Sequence, residues 1–236
     1  MTTETKRVLI TGSSNGIGKA AAKALSCFGY QVFKTGTREL NEKNYFPADL
    51  TSLDNVKKLY NYVKENFGEI DILINNAGQY LYSSIENTDI NNIEKLFNLN
   101  FLSHYYLTSL IVPDMKKNRF GRIVNISSIS AVVGEANASL YAASKSAFFG
   151  FEKSLALELA AYNITINSIS PGWVKTNLTD NALDENEKKE TLDIIPQKRF
   201  VEPIEIANLV KYLVSNEAKG LTGQNINLCA GLSCGC

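Results

Sequence analysis

Histidine and tryptophan each occur once in these 236 residues, cysteine four times and proline five, and 24 basic side chains balance 24 acidic ones. Each scarcity removes a class of function. A balanced charge without a long basic run offers no nucleic-acid footprint and no polybasic membrane patch. No apolar run reaches membrane-spanning length, and the polar Met1–Lys6 passes straight into the strand-like Arg7–Ile10 without the apolar stretch of a secretion signal. A cytoplasmic protein that binds neither nucleic acid nor membrane is expected. Cys229, Cys234 and Cys236 crowd the end of the chain and Cys27 stands alone, which is no disulfide framework for a chain without export signals. Two thiols in Cys234-Gly235-Cys236 fall short of a closed zinc site, so this tail reads as frayed and no metal is expected. His104 has no cysteine or acidic cluster near it in sequence and reads as packing or interface.

What is present is 44% hydrophobic, enough for one sizeable core over residues 1–236. Strand-like runs at Val8–Thr11, Gln31–Thr35, Ile70–Ile74, Arg122–Ile126, Ile164–Ile169 and Asn225–Leu228 alternate with helical patterns. This predicts an α/β fold, a doubly wound parallel sheet of about seven strands with helices on both faces. Gly36 to Leu50 is too short for a full crossover helix and a strand, so one helix is missing or reduced to a turn. Ser52 is expected to cap the next helix. A long helix is expected over Asn91–Lys117, bent at Pro113, and another over Ser139–Ala161, with Phe148, Phe149 and Phe151 exposed for a partner subunit. The polar stretch 177–195 is a candidate lid.

The chemistry converges on the carboxyl ends of the strands, where ligands bind in open α/β sheets. Gly12-Ser13-Ser14-Asn15-Gly16-Ile17-Gly18 joins a strand to a helix and reads as either a phosphate-binding turn or an ordinary glycine-rich one. The carboxamides of Asn75-Asn76-Ala77-Gly78, at a strand end, read as bonding cofactor or backbone, with an Asx turn as the alternative. Tyr141 and Lys145 lie four apart on one helix and share a face. Bringing a phenol from pKa 10 to about 7 requires roughly 4 kcal/mol, and an ammonium about 4 Å away supplies about that much. Lys145 is therefore expected to lower the pKa of Tyr141. A solvated helical pair is the alternative.

Taken in order, Thr11–Gly18, Asp49, Asn75–Gly78, Asn100, Ser128, Tyr141-x-x-x-Lys145 and Pro171-Gly172 with Thr176 resemble the short-chain dehydrogenase/reductase family along the whole chain. By that resemblance Tyr141 is the acid/base, Ser128 holds the substrate carbonyl, Lys145 binds the nicotinamide ribose and tunes Tyr141, and Asn100 anchors a proton-relay water. It also implies cofactor contacts at Gly12, Ser14, Asn15, Gly16, Ile17, Gly18, Thr37, Arg38, Asp49, Leu50, Asn76, Ala77, Gly78, Pro171, Gly172, Val174 and Thr176, besides Tyr141 and Lys145. Gly36 and Thr37 stand where an NAD site needs a carboxylate, and Arg38 can meet a 2′-phosphate, so NADPH is expected over NADH. The likeness is strongest to 3-oxoacyl-[acyl-carrier-protein] reductases. It implies reduction of a ketone or 3-oxoacyl thioester, with acyl carrier protein as a possible partner at Met115–Arg122, and a homotetramer or homodimer. An alcohol, sugar or steroid dehydrogenase is the rival enzyme reading, and a non-catalytic dinucleotide sensor the rival from another class.

Overall fold

The computed structural model describes residues 5–234. In chain order the strands and helices are β1 (Arg7–Ile10), α1 (Gly16–Cys27), β2 (Gln31–Gly36), β3 (Tyr45–Pro47), α2 (Leu53–Asn66), β4 (Ile72–Asn75), α3 (Ile90–Phe97), α4 (Ser103–Asn118), β5 (Gly121–Ile126), α5 (Ser130–Val133), α6 (Ser139–Leu159), β6 (Ile164–Pro171), α7 (Asn177–Ala182), α8 (Glu185–Ile194), α9 (Pro203–Val214) and β7 (Asn225–Leu228). The strands form one sheet in the order β3-β2-β1-β4-β5-β6-β7, and every pairing is parallel. The chain winds outward from β1 in both directions, so a crevice opens beyond the carboxyl ends of β1 and β4.

Period-two alternation sorts the core into two layers. Val8, Ile10, Ile72, Ile74, Val124 and Ile126 pack against Ala21 and Leu25 of α1 and Ile206 and Val210 of α9. Their neighbours Leu9, Leu73 and Ile123 face Val56 and Leu59 of α2, Leu107 and Ile111 of α4, and Leu159 of α6. Both faces of the sheet are thus covered, as the continuous apolar strand runs require.

As the spacing predicts, no helix forms between β2 and β3, and β3 pairs with the sheet edge. Other local expectations need correction. Ser52 occupies the N-cap of α2 without a side-chain cap bond, and Asp49 instead accepts from Thr51 N and Oγ1 just ahead of the helix. The region 91–117 is not one helix. A π-helical segment, Asn98–Leu102, separates α3 from α4, whereas α4 runs through Pro113 to Asn118. Phe148 is fully buried against Phe101 and His104, while Phe149 and Phe151 are half-buried, so these rings are largely spent within the chain. Cys229 is buried with Ser233 against its sulfur, and Ala230 takes a left-handed φ of 53°, so the chain end through Cys234 is an ordered turn. Gly235 and Cys236 lie outside the described residues.

A chain of buried polar side chains crosses the sheet beneath these helices. Asn75 Nδ2 donates to Thr108 Oγ1 at 3.2 Å and Asn125 Oδ1 at 2.9 Å, Asn125 approaches Ser168 Oγ at 3.5 Å, and Ser168 donates to Glu152 of α6. Burial pushes the Glu152 carboxyl up from 4.5 to about 7, against the opposing pull of the Ser168 bond, and its Oε1 has no partner. A carboxyl whose folded pKa is raised stabilises the fold below its unfolded pKa, and that stability is lost as pH rises through the folded value. Stability should therefore fall between pH 4.5 and about 7 by on the order of 1–3 kcal/mol from this group. Glu152→Gln should flatten that fall, as read by urea melts at a series of pH values; an unchanged pH profile would remove Glu152 from the account.

Candidate active site

The rim begins at the turn after β1. Thr11 Oγ1 accepts from Asn76 N at 2.9 Å and Ala77 N at 3.0 Å, while Asn76 Nδ2 donates to Thr11 O at 2.9 Å and Gly12 O at 3.0 Å. These bonds clamp the two strand ends together, and the glycines are what let them close. A Cβ on Gly12 would stand 2.8 Å from Ala77 Cα, and one on Gly18 would stand 2.4 Å from Gly12 O. The Asx-turn alternative for Asn76 is thereby replaced by a long-range clamp. Asn15 is the N-cap of α1 and makes no side-chain cap bond, so the amides at the helix start are left for an anion. A bare-backbone cradle at a helix N-terminus fits a dinucleotide pyrophosphate. Of the remaining residues named from sequence, Thr37, Arg38 and Asp49 are exposed and Leu50 is buried. Among the described residues Arg38 has no ion-pair partner, and its carbonyl accepts from Tyr45 OH at 2.7 Å. A Cβ on Gly16 would stand 3.3 Å from Thr176 Cγ2, which places Thr176, at the end of the segment Pro171–Thr176, beside the glycine turn.

The reactive side chains hang from α6 and the end of β5. Lys145 Nζ donates to Ile126 O at 2.9 Å, and Ser127 Oγ donates to Lys145 O at 3.0 Å. Asn100, in the π segment, accepts from Gln79 N at 2.9 Å and donates to Gln79 O and Ser144 Oγ, both at 3.0 Å. A π turn widens the helix by one residue and re-aims a side chain, here toward the Gly78 loop. Gly78 itself is squeezed, since a Cβ would come within 3.0 Å of Lys145 Nζ and 3.2 Å of Asn100 Oδ1. His104 is fully buried with Nε2 2.7 Å from Ala77 O, and burial followed by the Lys145 charge lowers it to about 3. It is a neutral packing residue.

One expectation about the tyrosine fails. Burial pushes the Tyr141 phenol up to about 12; the Ser128 hydroxyl opposes the rise and the Glu135 carboxylate adds to it. Lys145 does not offset this, because its ammonium is turned to the Ile126 carbonyl and burial lowers it to about 8. The sharing of a helix face was read correctly, but desolvation outweighs the neighbouring cation.

Sequence reasoning missed Tyr80, Ser130 and Glu135. Tyr80 stands edge-on to Tyr141 with ring centroids 5.0 Å apart, and its hydroxyl donates to Glu135 Oε1 at 2.5 Å. Ser130 Oγ donates to Glu135 Oε2 at 2.5 Å, and Ser128 Oγ lies 3.1 Å from Ser130 Oγ. The available signal was Gly134 and Asn137, whose φ values of 79° and 59° curl this loop back over the site.

The chain matches, over residues 12–233, the family described as enoyl-(acyl carrier protein) reductase. A 3-oxoacyl-[acyl-carrier-protein] reductase of Buchnera aphidicola is 39% identical over 98% of this chain and 99% of its own. Nodulation protein G of Rhizobium sp. is 36% identical over 97% of each. The ligand-free structure of Thermoplasma acidophilum aldohexose dehydrogenase superimposes with a TM-score of 0.91 at 32% identity, covering 98% of this chain and 94% of that one. The chain belongs to the short-chain dehydrogenase/reductase family of NAD(P)-dependent oxidoreductases. Within it, the chain lies close to the 3-oxoacyl-[acyl-carrier-protein] reductases.

The glycine turn yields a test that needs no substrate. Gly18→Ala should cost about 1–3 kcal/mol by forcing Gly12 and Asn76 apart. Gly150→Ala, in α6 with nothing within 4 Å of its Cβ, should stabilise by up to about 1 kcal/mol. Equal urea midpoints for the two variants would mean the turn is not tight.

Proposed function

We propose that the protein reduces a ketone, in the first place a 3-oxoacyl thioester, with NADPH, and that Tyr141 is the proton donor. The observation that carries this is the meeting of Asn100, Ser128, Tyr141 and Lys145 beyond the carboxyl ends of β4 and β5, beside the glycine turn. Bound NADPH supplies the hydride. Ser128 and Tyr141 present hydroxyls to the carbonyl oxygen, where negative charge grows, and such donors act most strongly in that transition state. A phenol held near pKa 12 keeps its proton at neutral pH and has it to give. Lys145 would bind the nicotinamide ribose and, turned from the Ile126 carbonyl, would meet the charge left on Tyr141, and Asn100 would anchor a proton-relay water.

In this reading Gly12, Ser14, Asn15, Gly16, Ile17 and Gly18 hold the pyrophosphate side, and Thr37 and Arg38 the adenosine 2′-phosphate. Asp49, Leu50, Asn76, Ala77, Gly78, Pro171, Gly172, Val174 and Thr176 would supply the remaining cofactor contacts. Residues 1–236 act as one domain, with 177–195 as a lid. The chain self-associates as a homotetramer or homodimer through the helical regions 91–117 and 139–161, supported by the exposure of Leu102, Tyr105 and Leu157. A carrier-protein contact at 115–122 needs one correction. Arg122 is buried with its guanidinium over Phe120, so only Lys116, Lys117 and Arg119 remain, and Lys117 pairs with Glu69. A sugar substrate is the second reading, favoured by the polar Tyr80, Tyr82, Glu135 and Asn137 around the site.

Cofactor oxidation against acetoacetyl thioesters, diketones, steroids and sugars separates these readings, thioester reduction being expected. Tyr141→Phe should abolish turnover and leave nucleotide affinity nearly unchanged; activity within about tenfold of the parent would move the acid/base elsewhere. Arg38→Ala should raise the NADPH KM about tenfold with little change for NADH, since one charge-assisted pair contributes roughly 1.5–3 kcal/mol. A parent enzyme that works better with NADH would overturn the NADPH assignment.

A further inference from the structure

Among the described residues Glu135 is the one carboxylate that reaches the reactive hydroxyls, and it does so through a hydrogen-bond chain with a fixed direction. An ionised carboxylate only accepts, so Tyr80 and Ser130 must both donate to it. Ser130 has one hydroxyl hydrogen and has given it to Glu135. Toward Ser128, 3.1 Å away, it can therefore only accept. The Ser128 oxygen also takes the Ser130 amide at 3.2 Å, which leaves one lone pair for the Tyr141 hydroxyl. Resting polarity thus runs from Tyr141 to Ser128, to Ser130, to Glu135, with every hydrogen pointing toward the carboxylate.

Other groups around the phenol do not compete for this role. From the loop after β4 come Tyr80 and, beyond it, Tyr82; from α3 comes only the apolar Leu96. Lys145, on the phenol's own helix, is turned to Ile126 O, and His104 is neutral. Glu135 is the acidic group facing the site, and its charge disfavours a phenolate at Tyr141.

We propose that Glu135 is a positioning residue of the reaction, acting through Ser130 and Ser128 to keep Tyr141 protonated and its hydrogen held on Ser128 at rest. The proposal deepens the reductase reading and rests on Tyr141 as the acid. It follows that a carbonyl entering the site must draw the Ser128 and Tyr141 hydrogens out of this chain, and that loss of the negative charge makes Tyr141 easier to ionise.

The test uses the full chain with ring-carbon-labelled tyrosine, the Tyr141 signal being assigned by its absence in Tyr141→Phe. In Glu135→Gln that signal should titrate about half a pH unit or more below the parent. Glu135→Asp, which keeps the charge, should fall nearer the parent. With whichever carbonyl the parent reduces, the alkaline limb of kcat/KM should move to lower pH in Glu135→Gln by the same amount. A Tyr141 titration unchanged in Glu135→Gln overturns the proposal whether or not any carbonyl is reduced. Equal shifts in the Gln and Asp variants also overturn it, because they assign the effect to packing. A parent that reduces no carbonyl while its Tyr141 titration responds to Glu135 overturns the reductase reading alone.

Discussion

The hydrogen bond from Lys145 Nζ to the Ile126 carbonyl fixes where α6 meets the sheet. An ammonium cannot remain charged in a dry site without an acceptor, and the Ile126 carbonyl at the end of β5 supplies one. Ser127 closes the same junction from the other side through Lys145 O. With α6 held there, Tyr141 comes to rest over Ser128, and Ser144 meets Asn100 across the groove. The π segment at Asn98–Leu102 is the compensating distortion, since a regular helix through α3 and α4 would carry residue 100 round to another face.

Much of this architecture was readable from the sequence because it rests on short-range rules. Alternation in Val8-Leu9-Ile10 and Ile72-Leu73-Ile74 gives strands buried on both faces, and Pro203 at the first turn of α9 and Gly68 after α2 mark helix ends. The clustering of the Gly12 turn, Asn76, Ser128 and Tyr141 follows from parallel strands, whose carboxyl ends all share one rim. What escaped was anything decided by desolvation. Spacing could show that Tyr141 and Lys145 share a face, but it could not weigh burial against a neighbouring charge. Nor could it show that Arg122, within an apparently basic turn, points inward under Phe120 and binds the Gly121 and Asn163 carbonyls.

That inward turn bears on any acidic partner. Gly121 begins β5 and Ser128 follows its end, so the basic turn lies at the far end of that strand from the reactive groups, roughly 20 Å away at about 3.3 Å per residue. Lys116 and Arg119 stack on Tyr162, which holds their stems against the protein while leaving charge at the surface. A carrier bound there would not, by that contact alone, deliver a thioester to the site of the same chain.

Burial moves the two ionisable groups in opposite directions, the phenol to about 12 and the ammonium to about 8, so that each favours its neutral form. An isolated charge is costly in such a site, whereas an adjacent opposite pair offsets part of each partner's desolvation. In the proposed reaction, proton donation from Tyr141 would create that pair once the Lys145 ammonium, one helical turn away, turned from the Ile126 carbonyl toward the phenolate. The lysine is therefore least comfortable before the proton moves and better matched afterwards, which is the differential interaction a catalyst needs. Glu135 works in the opposite sense, its charge disfavouring a phenolate at Tyr141. In the proposed reaction the same dry pocket that raises the phenol would keep the acid loaded at rest and make its discharge favourable only when a stronger acceptor had formed.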